Sequence, residues 1–166
     1  MHVGILGGTG PAGRALGCRI AAAGIEVTLG SRDQVRAEAA AAELLERWPG
    51  RDLKIKGGDN AAAADAEVVV LGTPWDAALT TVQPLRDRLA GKVVISMASA
   101  LIRVGHQVQA VTLARGSVAG TLQAALPASL ITGAFHHLPA EELRAICCEN
   151  AAALYRHPLP PTVLPA

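Results

Sequence analysis

A short apolar run, His2-Val3-Gly4-Ile5-Leu6, leads straight into Gly7-Gly8-Thr9-Gly10-Pro11-Ala12-Gly13, and an alanine-rich stretch follows. Few folds begin with a strand, a glycine turn and a helix in that order. Gly8, Gly10 and Gly13 make G-x-G-x-x-G at the strand-to-helix junction. In that pattern the first glycine permits a tight turn and the second lets backbone approach a pyrophosphate. The third lets the helix pack close to the strand. The unpaired N–H groups at the helix start, with the positive end of its dipole, can hold phosphates. Pro11 suits the first helical position, where its missing N–H costs nothing. A glycine-rich turn can also join strand to helix without any ligand. Its place at the start of a βαβ unit favours nucleotide binding.

The rest of the chain repeats the alternation. Apolar runs at His2–Leu6, Ile25–Leu29, Leu53–Lys56, Glu67–Leu71, Lys92–Ser96 and Leu130–Phe135 read as strands. Continuously apolar ones such as Val68-Val69-Val70-Leu71 suit a parallel sheet buried on both faces. Between them lie helical stretches. Ala12, Leu16 and Ile20 trace one face, and Val35, Ala42, Leu45 and Trp48 trace another. The expected fold is α/β: a Rossmann-type, doubly wound, mainly parallel sheet with helices on both faces. Leu101–Arg115 is weakly periodic and reads as a long loop with a short turn of structure. Glu141–Tyr155 reads as a helix carrying Cys147 and Cys148. One domain is expected over residues 1–156, with a proline-rich extended tail at 157–166.

Composition narrows the partners. The 166 residues suit one domain of roughly 100–200 residues. A net charge of +1 gives no electrostatic case for nucleic acid or an acidic membrane. Aromatics make up only 2%, which leaves little surface for stacking bases. Charges interrupt every apolar stretch before the 18 or so residues a membrane span needs. No basic leader precedes a long apolar run, so no signal peptide is expected. The cysteines, Cys18, Cys147 and Cys148, lack the spacing of a zinc site, and no metal is expected. Adjacent cysteines bridge only with strain, so free thiols in a reducing cytoplasm are the expectation.

The cofactor can be read at the end of the second strand. An NAD site places a carboxylate there, about 20 residues past the glycines, to accept from the ribose 2′-hydroxyl. This chain has Leu29-Gly30-Ser31-Arg32, with Arg36 one turn later. A hydroxyl and two guanidinium groups suit the 2′-phosphate of NADP. Ser31 and Gln34 also fit a capping box, which is compatible with phosphate binding at the same helix start. Strand four ends in Thr73-Pro74-Trp75-Asp76, read as an N-cap Thr73 with Pro74 first in the helix. Both residues should also touch the ribose or nicotinamide side of the cofactor. Strand five ends in Ser96-Met97-Ala98-Ser99-Ala100, whose small residues leave room for a flat ring. Strand six ends in His136-His137, read either as ligand contacts or as a general acid/base.

Taken together, Gly7-Gly8-Thr9-Gly10, Gly30-Ser31-Arg32, Thr73-Pro74-Trp75, Arg115-Gly116-Ser117-Val118-Ala119 and Phe135-His136-His137-Leu138-Pro139-Ala140 resemble the NADP oxidoreductases that depend on coenzyme F420, a deazaflavin. The resemblance covers roughly residues 1–143 in type and spacing. It implies reversible hydride transfer between NADPH and the deazaflavin, with no protein acid or base in the hydride step. Catalysis would then come mainly from proximity and orientation of two rings. It also implies that Gly8, Thr9, Gly10, Pro11 and Ala12 hold the pyrophosphate. Ser31, Arg32 and Arg36 would hold the 2′-phosphate, and Thr73, Pro74 and Ala98 would flank the nicotinamide. His136, Leu138 and Ala140 would lie where the rings meet. Arg115, beside a helix start, is added as a clamp for the acidic deazaflavin tail. Members of the family continue for further elements that close the deazaflavin pocket and a dimer, and here the match fades after the Ala140 segment. Two other readings therefore stand beside the first: a non-catalytic NADP-binding module, and an NADP-dependent reductase of a small carbonyl or imine. A homodimer is an expectation of the same kind.

Overall fold

Six short strands and the helices between them account for most of the ordered backbone. The structure is a computed structural model that describes residues 1–135. In chain order it runs β1 (His2–Leu6), α1 (Pro11–Ala22), β2 (Glu26–Ser31), α2 (Gln34–Arg47), β3 (Ile55–Asp59) and α3 (Asn60–Ala64). Next come β4 (Val68–Leu71), a 3-10 turn (Trp75–Ala77), α4 (Ala78–Val82), a second 3-10 turn (Gln83–Leu85), α5 (Arg86–Leu89) and β5 (Val93–Ser96). The described part closes with β6 (Leu101–Val104), β7 (Gln107–Ala110), α6 (Val118–Ala125) and β8 (Leu130–Gly133). The main sheet has the order β3-β2-β1-β4-β5-β8, every neighbouring pair parallel. That is the doubly wound order, with the reversal between β1 and β4.

The strands alternate between two cores, as the two-residue period demands. Val3, Ile5, Val27, Leu29 and Val70 pack with Ala21, Ala41 and Leu44 of α1 and α2. Leu6, Val69, Leu71 and Val94 pack with Ala63, Val82 and Leu122 of α3, α4 and α6 on the other face. Both faces are covered, which explains why β4 is apolar throughout.

The helices bury faces other than the expected ones. In α2 the buried positions are Ala37, Ala40, Ala41 and Leu44, while Val35 is 74% exposed and Trp48 46%. In α1 the innermost residues are Gly13, Gly17 and Ala21, with Leu16 and Ile20 on the flank. Small residues point at the sheet because the helices lie very close to it. A Cβ on Gly57 would meet the backbone of Ala37 at 2.3 Å. Large side chains cannot occupy that seam, so the larger hydrophobic residues do not mark the buried ridge.

The stretch read as a loop is an antiparallel hairpin instead, Leu101 facing Ala110 and Val104 facing Gln107. Its tip, Gly105-His106, has Gly105 at φ 62°, where glycine is free of the Cβ penalty. Trp75 Nε1 donates to the Leu101 carbonyl at 2.9 Å and ties the hairpin base to the segment after β4. The helix expected at Glu141–Tyr155, the cysteines 147 and 148, the boundary at 156 and the tail lie outside the described residues. Among the described residues no helix is long and apolar enough to cross a membrane.

Candidate cofactor-binding site

The C-terminal ends of β1 to β4 open onto a cleft of about 630 Å³. It is lined by Gly7, Thr9 and Gly10 after β1, Ser31, Arg32 and Arg36 after β2, and Asp59 and Asn60 after β3. Gly72, Thr73 and Pro74 after β4 complete the near wall, and Thr80, Thr81, Pro84 and Leu85 form the far one. This is the reversal point of the sheet, where open α/β folds bind ligands.

The glycine turn is built by its own backbone. Gly7 holds φ 66°, a conformation that disfavours other residues, and a Cβ there would run into Thr73 Cγ2. The Gly8 N–H donates to the carbonyls of Gly30 (2.8 Å) and Ile5 (3.1 Å), so Gly8 shapes the turn and keeps no donor for a ligand. Gly13 lets α1 rest against the turn, because a Cβ would sit 2.7 Å from Gly8 Cα. The N–H groups of Thr9, Gly10 and Ala12 find no protein acceptor among the described residues. Pro11 is the first helical residue as expected, and Gly10 precedes it as N-cap with no side-chain cap. The result is a row of free donors at a helix start, a ready anion site.

The corner after β2 differs from the expected capping box. The N-cap of α2 is Asp33, whose carboxylate accepts from the Arg36 N–H at 3.2 Å, and Gln34 turns outward to Glu38. Asp33 wins because a carboxylate there meets both the free N–H groups and the positive end of the helix dipole. Ser31 Oγ instead accepts from the Asp33 N–H at 3.1 Å. With that acceptor role taken, its O–H remains able to donate into the cleft. The guanidinium groups of Arg32 and Arg36 are exposed and form no ion pair among the described residues. One hydroxyl donor and two cations thus meet beside the start of α2.

After β4 the helical backbone starts one residue later than expected. Pro74 caps a 3-10 turn beginning at Trp75, and no side chain caps it. Thr73 is therefore no N-cap. Its hydroxyl is buried without a hydrogen-bond partner among the described residues, although the residue lines the cleft. Buried hydroxyls without partners are uncommon and call for explanation.

Other expected positions lie outside the cleft lining: Gly8 is enclosed in the turn, Pro11 lines a groove between α1 and α2, and Ala12 is exposed at the helix start. Ala98 is 8% exposed and packs in the core beside α6, outside the cleft lining. Arg115 is exposed in the turn before α6, where Ser117 caps the helix by accepting from the Gly120 N–H at 3.0 Å. His136, Leu138 and Ala140 lie outside the described residues. Phe135, just before them, holds φ 63°, a strained conformation for a bulky residue and of a kind that collects at functional positions. Sequence reasoning missed Asp59 and Asn60. Placing strand three at Leu53–Lys56 left them in a loop, whereas β3 runs to Asp59 and brings Asn60 to the cleft.

A larger groove of about 750 Å³ runs between α1 and α2, past Arg14, Cys18, Glu43 and Trp48. Its walls are helix flanks, and an Arg14–Glu43 ion pair crosses it. Apart from Thr9 at its upper end it shares no residue with the cleft and contains no strand end.

Residues 2–100 match the profile of the family described as NADP oxidoreductase, coenzyme F420-dependent. The chain belongs to that family. It is 45% identical over 96 residues to an F420-dependent NADP reductase of Methanothermobacter marburgensis, a match spanning 57% of this chain and 43% of that one. An F420-dependent NADP reductase of Methanocaldococcus jannaschii is 34% identical over 143 residues, 83% of this chain and 64% of its own. A candidate F420-dependent NADP reductase of Arthrobacter sp. FB24, solved by crystallography, superposes with a TM-score of 0.68. It is 25% identical over 85% of this chain and 65% of its own. The chain thus spans less than two thirds of the length of these curated relatives. The matched region contains the G-x-G-x-x-G turn and every described cleft residue.

Proposed function

We propose that the chain binds NADP(H) in the cleft at the ends of β1 to β4, and that it serves hydride transfer between NADPH and the deazaflavin coenzyme F420. One observation carries the cofactor half of this reading. Free N–H donors at Thr9 and Gly10 share one cleft with the Ser31–Arg32–Arg36 corner, and Ala12 adds another at the helix start. The residues present fit the cofactor: the first group suits a pyrophosphate, and the second suits a 2′-phosphate. The orphan Thr73 hydroxyl is a polar group that a bound ribose or carboxamide could satisfy after a rotamer change. When bound, NADPH supplies the hydride, two electrons and one hydrogen nucleus passing to the oxidised deazaflavin, which takes a further proton from water.

The chain's own residues have three tasks in this reading. The glycine turn fixes the pyrophosphate and hence the direction of the cofactor. Arg32 and Arg36 select the 2′-phosphate. Thr73, Pro74 and Ala98 set the nicotinamide side, Ala98 from behind the cleft wall. His136, Leu138 and Ala140 are proposed where the two rings meet, and Arg115 as a clamp for the deazaflavin's anionic tail. No protein acid or base is assigned to the hydride step, and orientation carries the rate. A homodimer in the cytoplasm completes the proposal.

The alternative is an NADP-binding module that does not turn over alone. Mixing the protein with NADPH and oxidised deazaflavin separates them. Loss of the deazaflavin's visible absorbance is the expected result. NADPH binding without turnover selects the module, and turnover of imines or carbonyls instead selects a different reductase.

A further inference from the structure

Asn60 is the first residue of α3, a five-residue helix that crosses unusually low over the sheet. Two glycines make this possible. A Cβ on Gly4 would lie 1.8 Å from the Ala63 carbonyl oxygen, inside any allowed contact. A Cβ on Gly30 would lie 2.8 Å from both Ala63 Cβ and Asn60 Oδ1. The start of α3 is fixed by Asp59, whose carboxylate accepts from the Ala62 N–H at 2.7 Å. Asp59 in turn stands opposite Ser31 in the β2–β3 register.

This seating places the Asn60 side chain against the glycine turn. Its Oδ1 accepts from the Gly7 N–H at 3.1 Å, across 53 residues of sequence. Because an N–H can only donate, the amide must turn its oxygen to Gly7 and its NH2 away. The adjacent Gly8 N–H is held by Gly30 and Ile5. The Gly7 and Gly8 N–H groups are thereby bound internally, and those of Thr9, Gly10 and Ala12 are left without an acceptor among the described residues.

We propose that Asn60 is a positioning residue of the cofactor site: its carboxamide holds Gly7 in the left-handed conformation that aims the following N–H groups at the pyrophosphate. This rests on the NADP(H) reading above. Asn60 acts on the pyrophosphate end of the ligand, whereas Arg32 acts on the 2′-phosphate end. Ligand fragments therefore separate its role from general damage to the fold.

The test is calorimetric titration of the full chain and of Asn60→Ala with NADPH and with 2′-AMP, which has the 2′-phosphate but no pyrophosphate. Asn60→Ala is expected to weaken NADPH by about fivefold, the size of one lost hydrogen bond, while 2′-AMP affinity stays within a factor of about two. Asn60→Ser, one bond too short to reach Gly7, should give the same split. Unchanged NADPH affinity in both variants overturns the proposal. So does an equal loss for NADPH and 2′-AMP, which would mark a structural defect. If the unmodified chain binds 2′-AMP but not NADPH, the pyrophosphate role of the turn fails as well. If it binds neither, the cofactor reading itself is wrong.

Discussion

The β1–β4 side of the sheet and its β5–β8 side are built on opposite terms. On the first side, glycine and alanine bring backbone to backbone. Gly4 meets α3, Gly57 meets α2, and Gly13 meets the turn, with the polar groups of the turn satisfied internally or left facing the cleft. On the second side, bulky apolar residues face outward. Leu101, Val104 and Val108 of the hairpin and Leu130 of β8 are between 48% and 66% exposed. The β1–β4 side is held by close backbone contacts, while the hairpin and β8 keep large apolar side chains exposed. The family match runs through both the β1–β4 strands and β5, and ends at residue 100, just before the hairpin.

Gly4→Val should break the comparison most severely. The new side chain has no room against the Ala63 carbonyl, so a loss of about 3 kcal/mol or more is expected in denaturant unfolding. A loss under about 1 kcal/mol would mean that α3 is not pressed onto the sheet. Arg32→Ala should leave the fold intact and weaken NADPH by about one to two decades, while NADH binding barely changes. Equal losses for both cofactors in the same titration would remove Arg32 from the 2′-phosphate.

On the second side the same kind of change should matter little. Val108→Ser, at a residue 66% exposed, is expected to alter unfolding free energy by no more than about 0.5 kcal/mol. A large loss of stability would show that the hairpin is covered in solution. The smallest effect concerns Glu26, at the β2 end away from the cleft. The Lys56 ammonium, 2.7 Å away, holds its carboxyl below the usual carboxylate range by hydrogen bond and charge, with His2 adding a smaller effect. A lowered folded value means that the pair helps the fold above the ordinary carboxylate range. That help is lost as pH falls through the lowered value. Lys56→Ala should move the Glu26 titration, followed by NMR, upward toward the ordinary value. With the pair exposed, salt should shrink the difference.

The main-sheet strands and the doubly wound class were legible because both faces of the sheet are covered, which turns Val68–Leu71 into an unbroken apolar run. The candidate cleft was legible at the glycine turn and at Ser31–Arg32 because each is a compact local motif at a strand end. The buried helix faces were not. Val35 and Leu45 of α2 and Trp48 just after it are exposed, and apart from Leu44 the packing is done by alanines that carry little pattern. The cap of α2 was misplaced because Ser31 and Asp33 compete for neighbouring N–H groups, and only geometry decides which carries the cap. Asn60 was invisible for a different reason. Its partner Gly7 is 53 residues away, and nothing local marks an asparagine as the acceptor for a distant turn. The hairpin escaped notice because both its faces are exposed and mixed, so no apolar alternation is needed.

Parallel calorimetric titrations of the intact chain with NADPH and NADH test the central claim most directly. One site per chain, with NADPH bound at least about tenfold tighter than NADH, is the predicted result. Equal affinity for the two, or no binding of either, would contradict the assignment of the cleft at the ends of β1 to β4.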